Sequence, residues 1–250
     1  MDRWNLNGKT ALVTGASGGL GAHFAAVLAK AGADVIIGAR RAAAGEEVAS
    51  AIRSEGHSCR AITLDVTDPA SIEAASADIA TVDILVNNAG IVVEVPALDQ
   101  SEADWDRVID TNLKGVFLMS QAVAKALRAR GVGGSIINIA SILGLRQAGN
   151  VLPYAVSKAG AIQMTKTLAL ELARFGIRVN AIAPGYFATE INRDFWDSEP
   201  GKSLIRRIAQ RRLGQLENLD GPLLLLASEL SAYMTGAVIE VDGGHLVSSL

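Results

Sequence analysis

Thr10-Ala11-Leu12-Val13-Thr14-Gly15-Ala16-Ser17-Gly18-Gly19-Leu20-Gly21-Ala22-His23-Phe24 reads as a short apolar strand, a turn carrying four glycines, and the opening of an alanine-rich helix. A turn that leads from a strand straight into a helix leaves the first helical N–H groups unpaired, and those groups suit a pyrophosphate. Glycines also end strands for purely conformational reasons. The strand directly before and the helix directly after supply the context that a dinucleotide fingerprint requires. Gly15, Ser17, Gly18, Gly19, Leu20 and Gly21 are therefore candidate cofactor contacts.

Outward from this turn, short β-branched runs alternate with longer helical stretches, the rhythm of a parallel sheet covered on both faces. The strands expected are Thr10–Thr14, Val35–Ala39, Ala61–Leu64, Ile84–Asn87, Ser135–Ala140, Arg178–Ala183 and Val238–Val241. Most are unbroken apolar runs, as both-face burial demands. Asp68-Pro69 and Ser101-Glu102-Ala103-Asp104 mark helix starts, the first by an N-cap with proline at N1, the second by a capping box with Asp in place of Glu. The fold class expected is α/β: one doubly wound Rossmann-type domain over residues 1–250, with about seven parallel strands and helices on both faces. The irregular stretch Pro184 to Gly214 carries bulky Tyr186, Phe187, Phe195 and Trp196, so residues 185–214 are read as a substrate lid.

Bulk properties exclude several classes. Half of the 250 residues are apolar but only 4 % are aromatic, so a large core must be built from Ala, Val, Ile and Leu. The net charge of −3 without like-charge blocks argues against nucleic acid and anionic membranes as partners. The single cysteine, Cys59, precludes an intrachain disulfide and fits a reducing compartment. With no apolar run resembling a signal or a span near Met1 or elsewhere, a cytoplasmic location is expected. His23, His57 and His245 show no metal-ligand spacing, so no metal is expected.

The second strand ends at Ala39, where an enzyme that uses NAD usually carries an acid for the ribose 2′-hydroxyl; Arg40 and Arg41 follow instead. A guanidinium forms charge-assisted bonds to a 2′-phosphate, so NADP(H) is favoured, with NAD(H) an option, and Arg40 is the expected contact.

Tyr154-Ala155-Val156-Ser157-Lys158 places a phenol and an ammonium four residues apart on one helix face. A charged Lys158 beside Tyr154 is expected to stabilise the phenolate and draw its pKa below the usual value near 10. Ser141 closes an apolar strand, which puts its hydroxyl at the carboxyl end of the sheet.

Together with Asn87-Asn88-Ala89-Gly90, Asn112 and Pro184-Gly185, these motifs resemble the short-chain dehydrogenase/reductase family in its non-extended branch, over residues 8 to about 245. The resemblance implies a catalytic tetrad of Asn112, Ser141, Tyr154 and Lys158. Tyr154 would be the acid/base, Ser141 would hold the substrate oxygen, Lys158 would bond the nicotinamide ribose, and Asn112 would position a water. It further implies cofactor contacts from Asp65, Val66, Asn88, Ala89, Gly90, Pro184, Gly185, Phe187 and Thr189, in addition to Tyr154 and Lys158. It implies a homotetramer built through the helices around 106–129 and 152–175. Gly18 stands where many members that use NADP have arginine, and the stretch 68–82 is shorter than usual.

The reaction expected first is reduction of a ketone or 3-oxoacyl carbonyl by NADPH, reversible as alcohol oxidation. Its pocket wall is expected from Val92, Val93, Ile142, Leu143, Leu145, Tyr186 and Phe187, with Phe195 and Trp196 beside them. Arg146, Gln147 and Asn150 cut across that apolar picture, and the Gly185–Glu190 stretch leans toward the alternative, a polyol or gluconate-type dehydrogenase. A rival of another class is a dinucleotide-binding regulator without turnover.

Overall fold

The computed structural model describes residues 4–188 and 196–248. Seven parallel strands form one sheet in the order β3-β2-β1-β4-β5-β6-β7. They are β1 (Thr10–Thr14), β2 (Asp34–Ala39), β3 (Cys59–Thr63), β4 (Ile84–Asn87), β5 (Gly134–Ile139), β6 (Ile177–Pro184) and β7 (Val238–Val241). Every expected strand is present, with its ends shifted by two residues at most. Chain order reverses between β1 and β4, and the crevice outside the carboxyl ends of strands at such a reversal is where open α/β sheets bind ligands.

Helices α1 (Gly19–Lys30), α2 (Ala42–Ser54) and α9 (Asp220–Ala227) cover one face. There, Ala11, Val13, Ile37, Ile84, Val86 and Ile137 pack against Phe24, Leu28, Ile52, Leu223 and Leu226. The other face is covered by the short α3 (Pro69–Ala74) and α4 (Ser76–Ile79), by α6 (Gly115–Arg130) and by α7 (Leu152–Leu172). Leu12, Ile36, Leu85, Ile136 and Val179 meet Ile72, Ile79, Met119, Val123 and Leu127 on that side. Successive residues of β1 thus bury into opposite cores, which is why its sequence shows no polar alternation. The broken pair α3–α4 is the physical form of the short 68–82 stretch.

Both expected helix starts hold. The Asp68 carboxylate accepts from Ala70 N at 2.9 Å, and Ser101 Oγ accepts from Asp104 N at 3.1 Å at the start of α5 (Glu102–Ile109). Between α5 and α6 the helix runs through a single π turn, Asp110–Lys114. Beyond β6, α8 (Glu199–Ile205) lies in the 185–214 segment. Cys59 is buried on β3, and burial pushes its thiol up to about 11, so it behaves as a small apolar residue.

Polar side chains also cross the core. Asn87 Nδ2 donates to Ser120 Oγ and to Asn138 Oδ1, both at 2.9 Å, and Asn138 Nδ2 donates to Thr165 Oγ1 at 2.8 Å. This buried chain ties β4 and β5 to α6 and α7, and buried amides without such partners would each cost about 1–3 kcal/mol. It fixes the strand ends that carry the site relative to α7.

Candidate active site

A cleft of about 1580 Å³ opens at the carboxyl ends of the strands. Ordinary small-molecule pockets occupy roughly 300–1,000 Å³, so this one has room for a dinucleotide and a second small ligand. The expected Gly15, Ser17, Gly18, Gly19, Leu20, Gly21, Arg40, Asp65, Val66, Asn88, Ala89, Gly90, Ser141, Tyr154, Lys158, Pro184, Gly185 and Phe187 all line it. Thr189 and Phe195 lie outside the described residues.

The phosphate-loop end is locked by Thr14. Its Oγ1 accepts from the N–H groups of Asn88 and Ala89 at 3.1 Å, while Asn88 Nδ2 donates to the Thr14 and Gly15 carbonyls at 3.0 and 3.2 Å. The β1–α1 turn and the chain leaving β4 are so close that a Cβ on Gly15 would stand 2.7 Å from Ala89 Cα, and one on Gly21 2.7 Å from the Gly15 carbonyl oxygen. Gly18 and Gly19 face open space instead. No side chain caps α1 and its first turn holds no acid, so an anion in the cleft would meet that terminus unopposed.

At the end of β2, Arg40 and Arg41 are exposed at the cleft mouth, and Arg41 Nη2 donates to Ser17 Oγ at 3.3 Å. The pair, rather than Arg40 alone, faces this end, and Arg41 is also the N-cap residue of α2. Asp65 is oriented by Thr67, whose N and Oγ1 donate to Oδ1 at 2.9 and 2.8 Å.

Tyr154 and Lys158 project from the first turns of α7, opposite Ser141. The tyrosine hydroxyl is within hydrogen-bonding reach of Ser141, whose Oγ also accepts from Leu143 N at 3.1 Å and so is fixed by the turn it caps. Lys158 is buried, with Nζ 5.6 Å from the centre of the Tyr154 ring and donating to the Ile139 carbonyl at 2.7 Å. Burial draws the Lys158 ammonium down to about 8. Burial raises the Tyr154 phenol above its ordinary value, a bond from Ser141 opposing it in part. The expected depression of the tyrosine is therefore absent: Nζ is turned to a backbone carbonyl, and the cost of placing a phenolate in a buried site outweighs the help it receives.

Asn112 sits in the π turn, a feature that re-aims one residue of a helix. Its Oδ1 accepts from Ile91 N and its Nδ2 donates to Ile91 O, both at 2.8 Å, and to Ser157 Oγ at 3.2 Å. Both amide hydrogens are thus committed to the protein, and the side chain clamps the chain after β4 to α7.

The far end of the cleft differs from the apolar wall anticipated. Val92, Ile142, Leu143, Tyr186, Phe187 and Trp196 line it, but Val93 and Leu145 do not, and Glu94, Arg146, Gln147, Asn150, Arg207 and His245 do. Arg146 and Gln147 follow the 3-10 turn Ile142–Gly144 of the β5–α7 loop and line the cleft. Arg207 and His245 escaped sequence reasoning; nothing in their local patterns marks them, since distant loops bring them in. Among the described residues no cluster fit to hold a metal occurs, and no helix is long and apolar enough to cross a membrane.

The family model described as short chain dehydrogenase matches residues 9–200. The chain belongs to the short-chain dehydrogenases. It is 41 % identical to the 2-dehydro-3-deoxy-D-gluconate 5-dehydrogenase of Dickeya dadantii over 98 % of both chains. It is 38 % identical to the 3-oxoacyl-(acyl-carrier-protein) reductase of Escherichia coli, covering 96 % of this chain and 98 % of that one. Among solved structures it is similar to a gluconate 5-dehydrogenase from Burkholderia cenocepacia in complex with NADP and tartrate, with 37 % identity, 99 % of each chain covered and a TM-score of 0.94. The dehydrogenase is an oxidoreductase that interconverts CH–OH and C=O with NAD(P).

Proposed function

We propose that this dehydrogenase acts on a hydroxyl of a small sugar acid or polyol, and on the matching ketone, with NADP(H). The observation that carries the reading is the polar lining of the substrate end by Glu94, Arg146, Gln147, Asn150, Arg207 and His245. An acyl chain would strip water from these groups without replacing their bonds, whereas a hydroxylated acid would satisfy them. The names of the Dickeya and Burkholderia proteins agree with it. Ketone or 3-oxoacyl reduction, expected first, falls behind on both counts.

The residues at the phosphate-loop end fit a dinucleotide: open glycines, an uncapped helix start and two arginines at the end of β2, where no acid would repel a 2′-phosphate. Asp65, Val66, Asn88, Ala89, Gly90, Pro184, Gly185 and Phe187 complete that cradle, and Thr189 belongs with them by the family resemblance. When bound, the nicotinamide supplies or accepts the hydride. Tyr154 carries the proton: its raised pKa keeps it protonated and ready to donate to a carbonyl oxygen that Ser141 holds. In oxidation Tyr154 takes the hydroxyl proton, and Lys158, cationic at neutral pH, supports the phenolate. Asn112 is a positioning residue that keeps Ile91 and α7 in register.

The described parts of the lid segment 185–214 border the substrate end. The two ends of the segment are pinned together by Gly214 N to Tyr186 O at 2.9 Å and Ala188 N to Gly214 O at 3.1 Å, and Trp196, Leu204 and Arg207 from within it line the cleft. The enzyme assembles as a homotetramer through α6 and α7, which leave Phe117, Leu152, Val156 and Leu170 exposed; light scattering that gave a monomer at micromolar concentration would remove this element. The activity is tested by following absorbance at 340 nm with D-gluconate, 2-dehydro-3-deoxy-D-gluconate, sorbitol and a 3-oxoacyl thioester. Turnover of the sugar acids at least tenfold more efficient than that of the thioester is expected, and the reverse order would sink the reading.

A further inference from the structure

Four segments far apart in sequence contribute to the wall of the substrate end: Arg146 from the β5–α7 loop, Tyr186 after β6, Arg207 after α8 and His245 in the turn that follows β7. Arg146 Nη1 donates to the His245 carbonyl at 2.5 Å, and Ser248 Oγ donates to the same oxygen at 3.0 Å. The His245 ring lies against Tyr186, centroids 5.4 Å apart, and Tyr186 in turn meets Trp196 at 5.5 Å. His245 is 4 % exposed, yet its Nδ1 is buried without a hydrogen-bond partner. A buried ring nitrogen without a partner, on a cleft wall, is a costly arrangement unless a ligand completes it.

The charges around that nitrogen are uneven. Neither Arg146 nor Arg207 has an ion-pair partner among the described residues. The nearby Asp242 carboxylate is taken up by the N–H groups of Gly244 and Leu246, at 2.8 and 2.6 Å. Among the described residues Glu94, near Tyr186, is the other acid that lines this end. Burial and the two arginines hold the His245 imidazole neutral at pH 7, with Asp242 opposing them. Two guanidinium groups without an ion-pair partner among the described residues, close enough to a neutral imidazole to lower its pKa, match a carboxylate that carries a hydroxyl on the adjacent carbon.

We propose that Arg146 and Arg207 bind the substrate's carboxylate and that His245 Nδ1 bonds to the neighbouring hydroxyl. The acid end then sits under the C-terminal turn, and a hydroxyl farther along the chain lies between Ser141 and Tyr154. The subsite would select sugar acids over neutral polyols and set which carbon reacts. This assignment deepens the sugar-acid reading above and rests on it.

The test compares D-gluconate with sorbitol, its neutral six-carbon counterpart, in the wild type, Arg207→Gln and His245→Phe. Arg146→Gln also releases the His245 carbonyl and loosens the C-terminal turn, so the exposed Arg207 is the better position to replace. In Arg207→Gln the KM for gluconate should rise roughly ten- to a hundredfold, the size of a lost charge-assisted bond. The gluconate-to-sorbitol ratio of kcat/KM should fall by the same factor, with the affinity for NADP retained. A smaller fall in the same direction is expected for His245→Phe. An unchanged ratio in both variants overturns the subsite while leaving the proposed function standing. Should the wild type turn over neither sugar acid nor sorbitol, the proposed function fails, and titrating gluconate into the NADP-loaded enzyme decides the subsite. Binding that Arg207→Gln removes upholds it; absence of binding overturns it.

Discussion

The two ends of the cleft are built on different physical principles. At the phosphate-loop end the backbone is central to the site: Thr14, Gly15 and Gly21 interlock with Asn88 and Ala89 through bonds to main-chain groups and close approaches that leave no space for a Cβ on either glycine. At the substrate end side chains from separate loops converge, and Gly149 there has nothing within 4 Å of an added Cβ. The first end has no room for a side chain at Gly15 or Gly21 and offers a way to bind what all dinucleotides share. The second can be rebuilt residue by residue on the same frame, which is how one fold serves many substrates.

The proposed catalytic groups sit where the two ends join, so their loss tests the frame as a whole. Tyr154→Phe removes only the hydroxyl. Turnover should fall about 10²- to 10⁴-fold, while NADP titration by fluorescence shows near-normal affinity. Near-full activity would falsify the acid/base role of Tyr154, and lost NADP binding would show that the two ends are not separable as described.

The contrast between the ends is sharpest in their glycines. Gly21→Ala must push its methyl against the Gly15 carbonyl and Ala16 Cα, both backbone atoms, so overpacking should cost about 1–3 kcal/mol and abolish NADP binding. Gly149→Ala meets no atom and should leave thermal stability within about 0.5 kcal/mol of wild type. Equal effects, measured by denaturant melts of both variants, would erase the distinction.

Legibility in the sequence follows the same division. All seven strands and the cofactor turn could be placed because apolar runs and glycine turns are local patterns, set by neighbours in the chain. Tyr154, Lys158 and Ser141 were found because one helical spacing and one strand end suffice to bring them together. Arg207 and His245 were not, because their meeting with Arg146 depends on loop paths that no local rule specifies. The position of Lys158 beside Tyr154 is legible in the sequence but its electrostatics are not: spacing promises a cation beside a phenol, whereas burial decides what either group's charge costs.

That burial has a measurable consequence. In the folded chain Lys158 titrates near 8, below the ordinary lysine value of 10.5, so between these values the unfolded chain binds more protons and stability rises with pH. From pH 8 to 9.5 the gain is about 1.5 kcal/mol, or several degrees in Tm. Cys59, raised by burial, acts in the opposite sense over this range and is common to wild type and variant. The difference in Tm between wild type and Lys158→Met should therefore shift toward wild type as pH rises. A pH-independent difference would mean that the ammonium is not held in a dry site.

The smallest effect is expected at the exposed rim of the phosphate-loop end, where the frame gives way to ordinary surface charge. Arg40 and Arg41 are both exposed, so each bond to a 2′-phosphate is weakened by water and salt. Replacing Ala39 by Asp together with Arg40 by Ala adds repulsion and removes one bond. The NADP-to-NAD ratio of kcat/KM should then drop roughly tenfold, and a larger share of the preference should vanish when Arg41→Ala is added, since Arg41 already reaches Ser17. An unchanged ratio in the triple variant would move 2′-phosphate recognition away from the end of β2. It would also show that the rigid frame alone discriminates between the two dinucleotides.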